Sequence, residues 1–191
     1  MSGLGVVEGE TRSRVSEHRI PRNNEEETMK TRFGSLLFLG VLFAVSLSAA
    51  TKTSGMATCK EDPASPPPVA LTDKPNHSFA VAQAQCTWTG FTVAGQPYKD
   101  AVSTSLNEVT GDTSSANGYH VATTTTGDTA TAKFQGSGKL KDGKPVSDGG
   151  TWVFTSGTGK LKGIKGKGTY KGTPNADGTM TYKVDGAYSL P

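Results

Sequence analysis

Residues 149–172 read GGTWVFTSGTGKLKGIKGKGTYKG, and this stretch decides the predicted fold. Apolar and polar residues alternate along it, and glycines interrupt it at short intervals. Side chains of a strand alternate between the two faces of a sheet, and glycine adopts the positive φ that tight turns need. The stretch therefore predicts two β-strands joined by a hairpin.

The alternation also assigns faces within this stretch. Trp152 and Phe154 share one face, which we expect to be the inner face of the sheet. Leu161 and Ile164 are three residues apart, so both point inward only if a bulge at Gly163 resets the alternation. The inner face is therefore predicted to be aromatic and aliphatic.

The same pattern continues outward from this stretch. No window beyond residue 50 has the apolar spacing of an amphipathic helix over three turns, so we expect essentially no helix. The further predicted strands are 77–90, 100–110, 118–126, 129–138 and 179–190.

About eight short antiparallel strands, each with one polar face, predict an all-β, up-and-down barrel; the alternative is a β-sandwich. Closure removes exposed edge strands, and eight strands leave room for side chains or for one small ligand. The outward positions are mostly Lys and Thr rather than the apolar band of a membrane barrel. We therefore expect no membrane span in the mature chain.

The N-terminal part has the pattern of an export signal. Residues 29–50 combine a charged start, an apolar run over 36–47 and the small residues Ser-Ala-Ala at 48–50, which is typical of a cleaved signal peptide. Residues 1–28 are then predicted to be an extension from a start codon assigned too far upstream; the alternative is a cytoplasmic tail on a membrane-anchored protein. The mature protein is expected to be bacterial and exported, either periplasmic or secreted.

After the signal we expect a Pro-rich linker over residues 51–75 and a barrel domain over 76–191. Cys59 falls in this linker and Cys86 in the first predicted strand. Two cysteines in an exported chain most simply form a disulfide, worth roughly 3–4 kcal/mol in the chain-entropy model. A lipid anchor on Cys59 is the alternative.

Charge is distributed unevenly along the mature chain. Residues 51–132 hold four lysines and seven acids, residues 133–191 hold ten lysines and four acids, and no arginine lies beyond residue 32. The central stretch is lysine-rich, which indicates either an anion-binding face or a solvated outer wall. We favour the wall and expect no nucleic-acid partner. The anion-binding candidates are Lys160, Lys162, Lys165 and Lys167.

Inward aromatic residues either line a ligand cavity or fill a core. Glu108 shares a strand face with Val102 and Leu106, so it is a candidate for a buried catalytic acid or base; the alternative is that it meets solvent at the strand end. The ligand-cavity candidates are Trp88, Trp152, Phe154, Tyr170, Tyr182 and Tyr188.

The histidines give little support for a metal or catalytic site. His120 lies between Tyr119 and Val121, and the alternation predicts that His120 is on the outer face. His77 and the two cysteines have no metal-ligand spacing with it. The sequence predicts no metal site and no cofactor.

Residues 156–166, SGTGKLKGIKG, resemble the glycine-rich hairpin of the dirigent and allene oxide cyclase barrels. With the preceding Trp-x-Phe, they also resemble small exported bacterial proteins of unknown function. The resemblance covers about twenty residues. It implies an eight-stranded barrel, often trimeric, with a mostly apolar cavity, and so a homo-oligomer. The dirigent pattern of acids and arginines is incomplete here, and no motif around Glu108 matches a cyclase carboxylate.

Three functions remain open from the sequence. The first is a non-catalytic barrel that binds a small apolar ligand, and the second is an isomerase or cyclase on the same fold. The third is a structural or polyanion-binding protein of the cell envelope. A dry cavity favours the first, an aromatic cavity with one buried carboxylate favours the second, and a filled barrel favours the third.

Overall fold

The computed structural model describes residues 49–191. The predicted upstream extension and most of the predicted signal peptide lie outside the described residues. The described chain forms ten strands and one 3₁₀ turn. The strands are β1 (Thr51–Glu61), β2 (Val69–Ala70), β3 (His77–Thr89), β4 (Thr92–Val93), β5 (Gln96–Thr110), β6 (Thr113–Thr124), β7 (Thr129–Lys141), β8 (Lys144–Gly157), β9 (Lys165–Pro174) and β10 (Met180–Ser189), and the 3₁₀ turn is Gly159–Leu161.

Eight of these strands form a closed antiparallel barrel. Going round it, β1 is followed by β3, β5, β6, β7, β8, β9 and β10, and β10 pairs with β1 again. Each barrel strand thus pairs with the barrel strands before and after it in the chain, and the pairing of the first strand, β1, with the last, β10, closes the ring. The short strands β2 and β4 add to β3 and β5. The predicted all-β up-and-down barrel is confirmed.

The predicted linker over residues 51–75 is wrong for its first part. Residues 51–61 are the barrel strand β1, which pairs with β10 from Thr51 and with β3 from Met56. The strand has few large apolar residues because its inward positions, Gly55, Ala57 and Cys59, are small. The barrel therefore begins at residue 51 rather than 76, and only residues 62–76, named here the strap, run outside the barrel strands.

The disulfide prediction is confirmed. Cys59 and Cys86 form a disulfide, with their Cα atoms 4.0 Å apart. The two residues are directly opposite each other on β1 and β3, and both side chains are buried. The bond therefore joins two barrel strands, rather than attaching a tail to the barrel wall.

One end of the barrel, the closed end, is filled by side chains. The β3–β5 connection folds inward and buries Phe91 and Val93, and the segment after β8 buries Leu161 and Ile164. Leu161 points inward as predicted, although it lies in the 3₁₀ turn rather than in a strand. This packing closes the barrel at that end.

A partly buried polar network fixes the closed end. The side chain of Gln96 donates to Asp128 Oδ2 at 3.0 Å and accepts from the Thr124 hydroxyl at 2.8 Å. Asp128 Oδ2 also accepts from the backbone N–H of Lys160 at 3.0 Å. Because buried polar groups need partners, this network holds the 3₁₀ turn against the ends of β5 and β6.

Inside the barrel, aromatic rings lie over glycines of neighbouring strands. The Trp152 ring lies over its cross-strand partner Gly168 and over Gly186 on the next strand, where an added Cβ would come within 2.7 Å and 2.3 Å of the indole ring. Tyr170 occupies the space beside Gly136 and Gly150 in the same way. The inward glycines are therefore required by ring packing rather than by turns.

Candidate ligand cavity

The barrel encloses a cavity of about 720 Å³. It runs from the aromatic residues above the closed end to the β7–β8 and β9–β10 turns, where its lining residues, such as Lys144 and Asn175, are exposed. We call this the open end. Five of the six predicted cavity aromatics line it: Trp88, Trp152, Phe154, Tyr170 and Tyr182.

Tyr188, the sixth predicted aromatic, is buried but does not line the cavity. Its hydroxyl accepts a hydrogen bond from the backbone N–H of Ala94 at 2.9 Å. Ala94 lies in the tight turn between β4 and β5, where Ala94 and Gly95 both have positive φ. Tyr188 therefore anchors the closed end of the barrel.

The deep end of the cavity, next to the closed end, is an aromatic cluster. The Trp88 ring centroid lies 4.8 Å from that of Phe91 and 5.5 Å from that of Tyr98. Trp152 packs edge-on against Phe154 at 4.8 Å and against Phe91 at 6.3 Å. These separations are typical of favourable aromatic pairs, so the deep end is a rigid apolar surface.

The predicted outer position of His120 is wrong. Its side chain points inward, lines the cavity, and accepts a hydrogen bond at Nε2 from Trp88 Nε1 at 3.2 Å. Burial lowers the pKa of His120 to about 4. The large neighbours Tyr119 and Val121 are instead half exposed on the outer wall.

Glu108 lies on the outer wall, as the solvent-facing alternative predicted, and not inside the barrel. On β5, beyond the irregularity between Tyr98 and Asp100, the residues that line the cavity are Ser103, Ser105 and Asn107, so the alternate positions face outward. Leu106 is 49% exposed, and Glu108 lies on the same outer face. Glu108 therefore cannot act as an acid or base inside the barrel.

Glu108 instead belongs to a cluster on the outer wall. His77 Nε2 lies 2.8 Å from Glu108 Oε1, and His77 Nδ1 lies 2.6 Å from Asp73 Oδ1 in the strap. The Asp73 and Glu108 carboxylates raise the pKa of His77, and His77 lowers the pKa of Asp73. The cluster fastens the strap to β3 and β5.

Of the two carboxylates that line the cavity, Asp148 and Glu61, Asp148 is the more buried, and it lies near the open end. Burial raises the pKa of Asp148, against the opposing effects of the Gly149 backbone N–H and the Tyr182 hydroxyl. Burial also raises the pKa of Tyr182, and the charge of Asp148 adds to this. The other charged residues that line the cavity, Glu61 and Lys144, also lie at the open end. Asp148 lies within β8.

Three buried polar atoms around the cavity have no hydrogen-bond partner among residues 49–191: Tyr98 Oη, Trp152 Nε1 and Tyr170 Oη. All three residues line the cavity. Unpaired buried polar atoms are uncommon in folded proteins. The cavity wall is thus mostly apolar, and a few of its side chains carry polar atoms.

The lysines of the central stretch lie on the outside. We call Lys160, Lys162, Lys165, Lys167 and Lys171 the lysine surface, and all five side chains are exposed. Lys167 is opposite Val153, and Lys171 is opposite Lys183 on β10. The outward direction predicted for these lysines is confirmed, but whether they bind an anion stays a prediction.

No family model matches the chain, and no curated protein matches it. Among solved structures, the chain is similar to a protein of unknown function from the DUF3224 family of Shewanella oneidensis MR-1. The TM-score is 0.47 and the identity 14%, over 75% of this chain and 100% of that one. The likeness of the hairpin to dirigent and allene oxide cyclase barrels stays a prediction. Within residues 49–191, no helix is long and apolar enough to cross a membrane.

Proposed function

We propose that the barrel binds one small, largely apolar molecule in its cavity. The observation that carries this is the cavity itself, about 720 Å³ and lined by aromatic and alanine side chains. Ligand cavities are typically about 300–1,000 Å³, mostly apolar, with a few directed polar groups. The closed end is filled by packed side chains, so the ligand would enter from the open end.

Titration with N-phenyl-naphthylamine, a neutral apolar fluorophore, tests this proposal. We expect saturable binding of one molecule per chain. Ala116→Phe places a ring in the cavity and should abolish binding, because Ala116 lines the cavity. Asn117→Phe is the matched control on the exposed outer face of the same strand and should bind normally. No saturable binding, or equal binding by both variants, would contradict the proposal.

A second candidate is proton-transfer catalysis, an isomerase or cyclase. Asp148 favours it, because a carboxyl group whose pKa is raised by burial on a cavity wall is suited to general acid–base work. If the protein has this role, it should catalyse the exchange of an acidic C–H hydrogen of a bound molecule for deuterium in deuterium oxide. NMR measures this exchange as the loss of the proton signal. Asp148→Asn should stop the exchange and keep binding. No exchange by the unaltered protein would leave binding as the function.

We further propose that the protein acts outside the cytoplasm. The predicted signal at 29–50 supports this, and so does the disulfide, because disulfides persist mainly in oxidising compartments. In this proposal cleavage after Ala50 leaves Thr51, the first residue of β1, at the N-terminus. Intact-mass measurement of exported material should give a chain that starts near Thr51 and has two fewer hydrogens than the reduced chain. Two titratable thiols in native material would contradict the disulfide.

A further inference from the structure

The hydrogen bond between Trp88 and His120 determines where the histidine carries its hydrogen. An indole N–H is only a donor, so Trp88 Nε1 must donate to His120 Nε2 across their 3.2 Å separation. The accepting nitrogen is therefore unprotonated. A neutral His120 ring must then carry its hydrogen on Nδ1.

The neutral form prevails at physiological pH. Burial lowers the pKa of His120 to about 4. The ring is also held in place, since its centroid lies 5.5 Å from that of Trp88 in an edge-on contact. His120 therefore presents a fixed Nδ1–H donor, and this donor has no hydrogen-bond partner among residues 49–191.

The surroundings of this donor are uncharged and mostly apolar. Near it the cavity wall consists of the aromatic cluster, of alanines such as Ala122 and Ala132, and of Ser103, the cross-strand partner of His120. Tyr98 Oη and Trp152 Nε1 are also buried there without partners. The charged lining residues all lie at the open end. A buried charge without a counter-charge is costly, so the deep end favours a neutral acceptor over a carboxylate.

These features define a ligand class. We propose that the cavity takes a neutral, largely apolar molecule with a carbonyl oxygen at its inner end, and that His120 Nδ1–H donates a hydrogen bond to that oxygen. This inference rests on the proposed binding function and specifies its ligand. His120 then determines specificity, whereas the aromatic cluster contributes most of the affinity.

Two matched probes separate the inference from the proposed function. Methyl naphthyl ketone carries a carbonyl group, and isopropenyl naphthalene has the same shape with a methylene group in place of the oxygen. Both should quench tryptophan fluorescence, because Trp88 and Trp152 line the cavity. The ketone should bind about threefold to tenfold more tightly, the range expected for one net hydrogen bond. If neither probe binds, the proposed function fails; if both bind equally, only this inference fails.

Two variants and one spectrum complete the test. His120→Phe should remove the preference for the ketone over the hydrocarbon, while His120→Gln, which keeps an N–H donor, should retain part of the preference. A ketone preference that persists in His120→Phe would overturn the inference. Long-range proton–nitrogen NMR of the unaltered protein should show the Nδ1–H form of His120. The opposite tautomer would overturn the inference even if the variants did not fold.

Discussion

At the scale of single residues, Trp152 connects the wall of the barrel to the cavity. Its ring packs on glycines of β9 and β10 on one side and lines the cavity on the other. A larger residue at Gly186 would collide with the ring, since an added Cβ would lie 2.3 Å from its Cζ2 atom. The glycines leave the space that the Trp152 ring needs to lie flat against the wall, so the ring does not fill the cavity.

Trp152→Ala should therefore destabilise the fold strongly. We expect the free energy of unfolding to fall by about 3 kcal/mol, at the lower end for large aromatic truncations because one face of the ring already borders the cavity. Lys165→Ala, on the exposed face of β9, should change it by less than about 0.5 kcal/mol. Urea denaturation measures the unfolding free energy of both variants. Similar losses in the two would contradict the assignment of Trp152 to the inner face and of Lys165 to the outer face.

His77 should make stability depend on pH. The Asp73 and Glu108 carboxylates raise its pKa above the ordinary 6.5. A group with a raised pKa in the folded state stabilises fully below its unfolded pKa and loses this effect as the pH rises through the folded pKa. We expect the urea concentration at the unfolding midpoint to decrease as the pH is raised from about 6 to about 9.

His77→Gln is the control for this dependence, because it removes the titrating group and keeps a polar side chain. Its midpoint should change less over the same range. Below the ordinary pKa of Asp73, 3.8, the unaltered protein should also lose stability, since the pKa of that carboxyl is lowered by His77. Parallel pH profiles of the two proteins above pH 6 would show that the cluster does not contribute.

Whether the sequence predicts the face on which a residue lies depends on the size of its side chain. The inward direction of Trp152 and Phe154 follows from alternation, because large rings need burial. His120 was misplaced, and Glu108 was considered as an inward candidate, because the apolar residues on their strands were assumed to face a filled core. In a hollow barrel, small and polar residues such as Ser105 can face the cavity while Leu106 faces outward. Alternation gives the two faces of a strand, and only the closed barrel determines which face is inside.

At the scale of elements, β1 is the strand on which closure depends. It pairs with β10 over Thr51–Cys59 and with β3 over Met56–Glu61. The first and last barrel strands must meet, which is a long-range contact with a large loop-closure cost. The disulfide joins β1 to β3 and so holds β1 in place beside the barrel strand that follows it.

Removing the disulfide should weaken the barrel substantially. The bonded cysteines are separated by 27 residues, for which the chain-entropy model gives roughly 3–4 kcal/mol. We expect the Cys59→Ala, Cys86→Ala double variant to lose about that much unfolding free energy in urea. Adding reductant to the unaltered protein should have a similar effect and should leave the variant unchanged. A reductant-insensitive midpoint would show that the bond does not stabilise the fold.

The sequence predicts most elements but not β1. Strands with large inward residues, such as β8 and β10, have clear alternation, and turns such as Asp142–Gly143 are marked by residues suited to positive φ. In β1 the inward residues are small, and Pro66–Pro68 follow it, so the composition resembles that of a linker. Its pairing is determined by β10 and β3 across the barrel, which no local pattern reveals.

At the scale of the whole molecule, charge is divided between two parts of the barrel. Residues 51–132, which form β1 to β6, hold seven acids and four lysines, whereas residues 133–191, which form most of β7 and β8 to β10, hold ten lysines and four acids. The lysine surface belongs to the second part. Lys183, opposite Lys171, is paired with Asp185 at 3.8 Å, so an acid lies beside the surface. The negative charge of Asp185 thus weakens the positive field with which the lysine surface would attract a polyanion.

Heparin chromatography distinguishes a solvated wall from an anion-binding face. If the lysine surface is a docking site, its cations should bind heparin with a steep salt dependence, since each neutralised charge releases a counterion. We expect weak retention, lost by about 0.15 M salt, where screening acts over about 8 Å. Lysine also lacks the two-pronged contact that arginine makes with sulfate or phosphate, and no arginine lies beyond residue 32.

The control is a triple variant, Lys162→Gln, Lys165→Gln, Lys167→Gln. These side chains are exposed, so the variant should fold normally and elute only slightly earlier than the unaltered protein. Retention of the unaltered protein well above about 0.3 M salt, lost in the triple variant, would indicate contacts beyond diffuse attraction. That outcome would assign the outer wall a polyanion-binding role. It would leave the cavity proposal intact, because the lysine surface and the cavity lie on opposite sides of the barrel wall.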